Sequence, residues 1–409
     1  MRAHFWQTLA NYTQSAGGMI LGVVLAHLLQ PKIFGDFVLV GASLSLLMIP
    51  ASFSSAQILV SDGGKTPELF QRVLGMAVWV CLLKLLALIG FVGFSWALGK
   101  TEQASIGILI GLPMVLAEWF GVVKSDLEGR GFFCPNFLVQ AANLATQATV
   151  TITMALQGWG IYALALGPLA GFISDAILYT TLTDRNITRP DVSLNAFKAQ
   201  FRFGVWLWLG SVASSGYSRV DKIFLGHFGG PTQLAFYNRA MNYGPISHIL
   251  LNSLMTNATI RGLIAKDTIP EKKALFQKTA IFVLSGAVAN GLFWHLFSDP
   301  LIPWIFGEPW RESASAFKIL GWLGVPYFLL YGSSAVLYAN NKFQAIACVH
   351  LAAVVFLFCG AFFLACTRGI NVNFAALLFI VVMLFSGCAM TILALSTFKE
   401  IHAEDRRKV

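Results

Sequence analysis

Charge is scarce in this chain. Asp, Glu, Lys and Arg make up 11% of its 409 residues while 56% are hydrophobic, against about a quarter charged in soluble domains. So little charge excludes a protein folded mainly against water. The six cysteines (Cys81, Cys134, Cys348, Cys359, Cys366, Cys388) show no metal or redox spacing, and the seven histidines form no HxxxH or Glu-x-x-His pattern. They read as apolar filler and scattered polar groups, with no metal site. A long polar loop on the non-cytoplasmic side is missing too. The longest such connection, 298–314, offers Asp299, Glu308, Arg311 and Glu312, a thin set for a membrane glycosyltransferase or polymerase. That shortage favours moving a substrate over transforming one.

Apolar stretches long enough to cross a bilayer fill the rest. A hydrocarbon core of roughly 30 Å needs roughly 20 apolar residues per helical crossing. Twelve such stretches lie at 8–29, 36–59, 73–98, 105–125, 136–156, 160–182, 203–226, 233–258, 277–297, 315–338, 343–366 and 373–398. The chain therefore reads as an all-α polytopic membrane protein. The first stretch is too long for a signal-peptide core and has no clear small-residue cleavage site, so it counts as crossing 1. With the N-terminus in the cytoplasm, nineteen of the 28 Lys and Arg fall on the cytoplasmic side and five (Lys32, Lys100, Arg311, Lys318, Arg368) on the other. Lys84, Arg219, Lys222 and Arg239 remain inside the spans. The positive-inside rule then places both termini in the cytoplasm. The net charge of +9 reflects topology and anionic headgroups and calls for no nucleic-acid partner.

The sequence repeats itself. Shifted by 200 residues, Pro31 meets Pro231, Phe34 meets Leu234, Gly35 meets Ala235 and Phe37 meets Tyr237; shifted by 206, Leu69-Phe70-Gln71-Arg72 meets Leu275-Phe276-Gln277-Lys278. Arg130 corresponds to Lys342 in the next cytoplasmic loops. The expected organisation is a six-helix lobe over 1–182, a cytoplasmic linker over 183–202, a second six-helix lobe over 203–398 and a basic cytoplasmic tail over 399–409. Six crossings per half is an even number, which implies parallel repeats about an axis along the membrane normal. Bundles of this kind commonly work by alternating access, with the substrate path between lobes.

Three segments carry a family resemblance: LAHLLQPKIFGDF at 25–37, DKIFLGHFGGPTQLAFYNRA at 221–240 and IFGEPWRESASAFKIL at 305–320. With their order and spacing, the chain resembles the oligosaccharide flippases, the polysaccharide-transporter branch of the multidrug/oligosaccharidyl-lipid/polysaccharide exporter (MOP) superfamily. Twelve crossings fit this branch better than the peptidoglycan-precursor branch, which typically has fourteen. Ala235 departs from the glycine expected in the second turn. The resemblance implies a MATE-like fold in the bacterial inner membrane and the flipping of undecaprenyl-diphosphate-linked oligosaccharides for O-antigen, capsule or exopolysaccharide assembly. It implies contact with membrane lipids and with the polysaccharide polymerase and chain-length machinery. It implies no cofactor; coupling to a proton or sodium gradient is compatible with it, though no ion site is readable. Two alternatives stay open: a cation or drug efflux antiporter of the same superfamily, and a membrane polymerase or glycosyltransferase.

A diphosphate and a glycan crossing the membrane need a wet, cationic path lined with hydroxyls and amides. Crossing 7 places Trp208, Ser211, Ser215, Ser218 and Lys222 on one face, with Arg219 beside it. Crossing 1 carries Gln7, Asn11 and Gln14 on one stripe, and the 200-residue shift sets Asn11 on Ser211 and Gln14 on Ser214. These helices read either as cavity lining or as small-residue packing faces. Arg219, Lys222 and Arg239 are candidates for the phosphates or for snorkelling to headgroups, with Asp221 as a local charge partner. Lys84, deep in crossing 3, faces the cavity or pairs with Glu118. Asp175 has no obvious partner. Pro231, Pro245, Pro303 and Pro326 read as turn or kink formers.

Overall fold

Proline fixes where several helices begin. Pro31, Pro67 and Pro231 each occupy the first helical turn, where a missing N–H forfeits no helical bond. The computed structural model describes residues 2–51, 59, 66–185, 187, 189–247, 269–340, 342–367 and 369–408. Parts of crossings 2 and 8 (52–58 and 248–258) lie outside them, as do Lys65, Arg261, Lys266 and Arg368. The side chains of Gln7, Lys198 and Arg202 are also outside the description.

The chain is a multi-pass, all-helical membrane protein, with no strand among the described residues. Its helices are α1 (Arg2–Leu28), α2 (Pro31–Met48), α3 (Pro67–Ala97), α4 (Thr101–Gly129), α5 (Phe133–Leu156), α6 (Ile161–Leu182) and α7 (Leu194–Phe224). After them come α8 (Pro231–Tyr243), α9 (Ile269–Phe306), an interrupted α10, α11 (Phe343–Thr367) and α12 (Val372–Lys408). The chain divides into two compact units, Met1–Trp208 and Leu209–Val409.

Eight helical segments among the described residues are long and apolar enough to cross a membrane. They include α2, α3, α4, α6, α9, α10, α11 and α12; α8, at 13 residues, is too short to count among them, and α1, α5 and α7 are not among them either. Apolar side chains fill the interior and also cover much of the outer surface. Large apolar groups such as Phe356, Phe385, Trp96 and Trp304 face outward, whereas Asp126, Asn136, Asp221, Asn290 and Ser313 are buried. A helix surrounded by hydrocarbon must satisfy its polar groups internally, which produces this pattern.

Three expectations are corrected. The stretch 298–314 is not a loop: α9 runs on through Pro300 and Pro303 to Phe306, and a 3-10 turn spans Glu308–Ser313. Crossing 8 does not continue as one helix to 258, because α8 ends at Tyr243, just before Pro245, which lacks the N–H that another turn would need. Crossing 10 is not a single helix. It runs as α10a (Ala314–Leu320), a 3-10 turn (Gly321–Leu323), α10b (Gly324–Tyr327), a π turn (Phe328–Gly332) and α10c (Ser333–Ala339). Buried Asn290 of α9 compensates for the first break, its side-chain amide donating to the carbonyls of Gly321 (2.7 Å) and Gly244 (2.8 Å). Each such bond contributes about 1 kcal/mol net.

Candidate functional site

At 100° per residue, α7 has two distinct faces. Gly210, Ala213, Tyr217, Val220 and Asp221 are buried. The buried face meets α11, where an added Cβ on Gly210 would touch Ala347 at 3.7 Å. Ser211, Ser215, Ser218 and Lys222 share another face and are half-buried, as is Arg219. The serines partly satisfy the helix itself: Ser218 donates to the Ser215 carbonyl (2.8 Å) and Ser214 to that of Ser211 (3.0 Å).

This geometry gives Asp221 a structural role beside that of local charge partner. It lies on the buried face and makes no salt-bridge contact among the described residues, though its charge acts on neighbouring Lys222 and Arg219. One carboxylate oxygen accepts the Lys222 backbone N–H (2.7 Å) and the other accepts the Tyr237 hydroxyl of α8 in a short bond. The carboxylate thus fastens α7 to α8 while offsetting part of the basic charge. Among the described residues, no ion pair holds Arg219 or Lys222; the Arg219 guanidinium donates only to the Ser218 carbonyl, at 3.3 Å.

The other two intramembrane cations are committed to structure. Lys84 Nζ sits 2.6 Å from Glu118 Oε1, joining α3 to α4. Arg239 is 7% exposed and neither snorkels outward nor presents its guanidinium to solvent. It stacks over Trp310 (4.7 Å to the ring centroid), Phe306 (5.5 Å) and Tyr243 (5.6 Å). Such cation–π contacts are worth about 0.5–2 kcal/mol each.

In the first unit, Asn11 and Gln14 are exposed on α1. Asp175 of α6 has a partner after all: Asn143 of α5 donates to its Oδ2 at 2.8 Å, while its buried Oδ1 has no hydrogen-bond partner. Asn143 belongs to a polar stripe that the sequence reading missed. Asn136, Gln140, Asn143, Gln147 and Thr151 follow at intervals of three and four along α5. Asn136 accepts the Tyr179 hydroxyl (2.6 Å) and donates to Glu128 (2.7 Å). The signal was available as four amides within three turns.

The sequence profile of a family described as "Polysaccharide biosynthesis protein" matches residues 24–315. The chain belongs to that family. No curated protein matches it by sequence. Its fold is shared with solved transporter structures. A multidrug resistance MATE family transporter of the MOP superfamily, solved in an inward-facing conformation, superposes with a TM-score of 0.75 at 13% identity, over 98% of this chain and 99% of the other. A MOP superfamily transporter from Pyrococcus furiosus, whose binding pocket has reverse polarity, gives 0.66 at 13% identity over 97% and 95%. An outward-facing MATE transporter gives 0.62 at 15% identity over 97% and 98%.

Family membership sets the polar cluster of the second unit in context. The Tyr217 hydroxyl of α7 meets that of Tyr331, in the π turn of α10, at 2.6 Å. The ring of buried His350 on α11 stands 5.8 Å from Tyr217. A lone His in an apolar run carried no signal by spacing, and a π turn leaves none in hydropathy.

Proposed function

We propose that this polysaccharide biosynthesis protein is a transporter, not an enzyme, and that it flips polyprenyl-diphosphate-linked oligosaccharides to the outer leaflet of a bacterial inner membrane by alternating access. One observation carries the reading: Arg219 and Lys222, two cations beside the single carboxylate of Asp221, adjoin the serine face of α7 without a salt bridge among the described residues, while Lys84 and Arg239 are engaged elsewhere. Two cations on a polar helical face suit a diphosphate, which must lose part of its hydration to leave one leaflet. Hydroxyls and amides at Ser211, Ser215, Ser218, Asn11 and Gln14 suit the glycan. No cofactor is needed, and a proton or sodium gradient would supply the driving force. The partners are the undecaprenyl-linked substrate, the surrounding lipids and the polymerase with its chain-length machinery.

The deciding experiment deletes the gene in its host and locates the undecaprenyl-linked oligosaccharide. Retention on the cytoplasmic leaflet supports flipping; unpolymerised repeat units outside would instead indicate a polymerase. One observation favours a second reading, cation antiport: the buried Asp175 oxygen without a hydrogen-bond partner. If Asp175→Asn sensitises cells to cationic drugs while oligosaccharide export continues, antiport replaces flipping.

A further inference from the structure

The segment between α6 and α7 is not a slack tether. Asp184 and Arg185, just past α6, enter a charged cluster around buried Asp126: Arg130 donates to Asp126 (3.3 Å) and forks onto Asp184, and Arg185 reaches Asp126 at 3.5 Å. Ile187 then packs against the core formed by Phe70, Val73, Leu74 and Tyr179. Beyond it the backbone lies along α3. The Asp191 N–H donates to the Gln71 carbonyl (3.0 Å), and the Trp79 indole N–H donates to the Val192 carbonyl (3.2 Å).

Gln71, Gly75 and Trp79 are four residues apart, so they form one stripe on α3. Gly75 makes the close approach feasible. A Cβ at that position would stand 1.8 Å from the Asp191 carbonyl oxygen and 2.3 Å from its carbon. Gly75 adopts ordinary helical geometry, so its side-chain-free surface, not a special φ, is what the site requires. Glycine inside a helix costs about 1 kcal/mol relative to alanine, which the two backbone-directed hydrogen bonds offset. Two residues beyond Val192, α7 begins at Leu194.

We propose that Gln71, Gly75 and Trp79 form a seat for residues 189–193, and that Gly75 is a positioning residue for transport because it fixes where α7 starts. The inference rests on the flippase reading only for its transport readout. The seat holds the entry to the helix bearing Ser211, Ser215, Ser218, Arg219 and Lys222; any larger side chain at 75 lifts the segment and resets that helix.

The test uses the full chain in membranes, with its six cysteines replaced by serine and Gln71→Cys paired with Asp191→Cys. A short bis-maleimide should join the two cysteines in the otherwise native chain. Gly75→Val should lower that yield at least fivefold and transport of a fluorescent lipid-linked oligosaccharide at least tenfold, with the amount of membrane-inserted chain within twofold. Gly75→Ala and Trp79→Phe should give intermediate losses of both, in proportion, and they carry the test if the valine variant does not insert. Unchanged crosslinking in these variants would overturn the seat. Reduced crosslinking with native transport would overturn the positioning role. Should the parent chain transport no oligosaccharide, the flippase reading fails, while the crosslinking still reports on the seat.

Discussion

The two units treat intramembrane charge in opposite ways. In the first, Lys84 is neutralised by Glu118, and Asp175 is paired with an amide. In the second, two cations share one acid: Asp221 is held by the Tyr237 hydroxyl and the Lys222 backbone N–H, and no carboxylate forms a salt bridge with Arg219 or Lys222 among the described residues. Arg239 is present there too but is enclosed by aromatic rings. A basic residue inside a span is therefore not informative by depth alone. What separates a ligand-directed cation from a structural one is which neighbour reaches it first, and that neighbour comes from another helix.

The sharpest way to break this comparison is to remove the two cations of α7. Arg219→Gln together with Lys222→Gln should lower oligosaccharide export at least tenfold while the chain still inserts; export at the native rate would remove the basis for assigning phosphate contact to the second unit. The matching change in the first unit should behave differently. Glu118→Gln alone strands Lys84, which costs about 3–5 kcal/mol in a dry site and less here because Glu118 is 26% exposed. Lys84→Met combined with Glu118→Leu should recover both folded protein and export, measured by thermal unfolding in detergent and by the same export assay. Loss of export in that double variant would show that the pair serves transport.

Smaller effects sharpen the contrast. Tyr237→Phe leaves Asp221 with one fewer donor and should destabilise the second unit by about 1–3 kcal/mol. Arg219→Gln added to it should produce an independent loss of export, without coupling in stability. The smallest effect belongs to Asp184. The Arg130 guanidinium, through its hydrogen bond, holds the Asp184 carboxyl below the ordinary carboxylate value of 3.8. A depressed value in the folded state means that the contribution is present above the unfolded value and is lost as the pH falls through the folded one. Asp184 is 69% exposed, so Asp184→Asn should cost only about 0.2–1 kcal/mol near neutral pH, a difference that shrinks as the pH falls through the folded value.

Much of the architecture was readable from hydropathy, because a bilayer imposes one length on every crossing. The repeat was legible as well: Pro31 and Pro231 begin matching helices, and Phe70 and Phe276, paired by the second offset, are both buried. The candidate Lys84–Glu118 pair was visible because two isolated charges at similar depth have few other partners. The faces of α7 were harder to sort. Asp221 sits between Arg219 and Lys222 in sequence, yet one residue turns a helix by 100°, and the buried Tyr237 that claims the carboxylate is sixteen residues away. Arg239's aromatic box draws on Phe306 and Trp310, which the expected loop at 298–314 had placed outside any packed element. The amide stripe on α5 needed only helical spacing and was overlooked because it holds no charge.

The π turn at Phe328–Gly332 has a consequence for variation of the chain. A π turn carries one residue more than an α-helix would over the same rise. Straightening the turn into α-helix at unchanged length would therefore swing Ser333–Ala339 by about 100°, whereas deleting one residue would let α10b run into α10c with those residues kept near their present phase. In the straightened helix Tyr331 would lose its bond to Tyr217, and the contact between Ser333 and Thr391 of α12 would go with it. A substitution at 328–332 that favours a regular helix would thus disturb contacts on two other helices, while a one-residue deletion there would leave the phase of α10c intact.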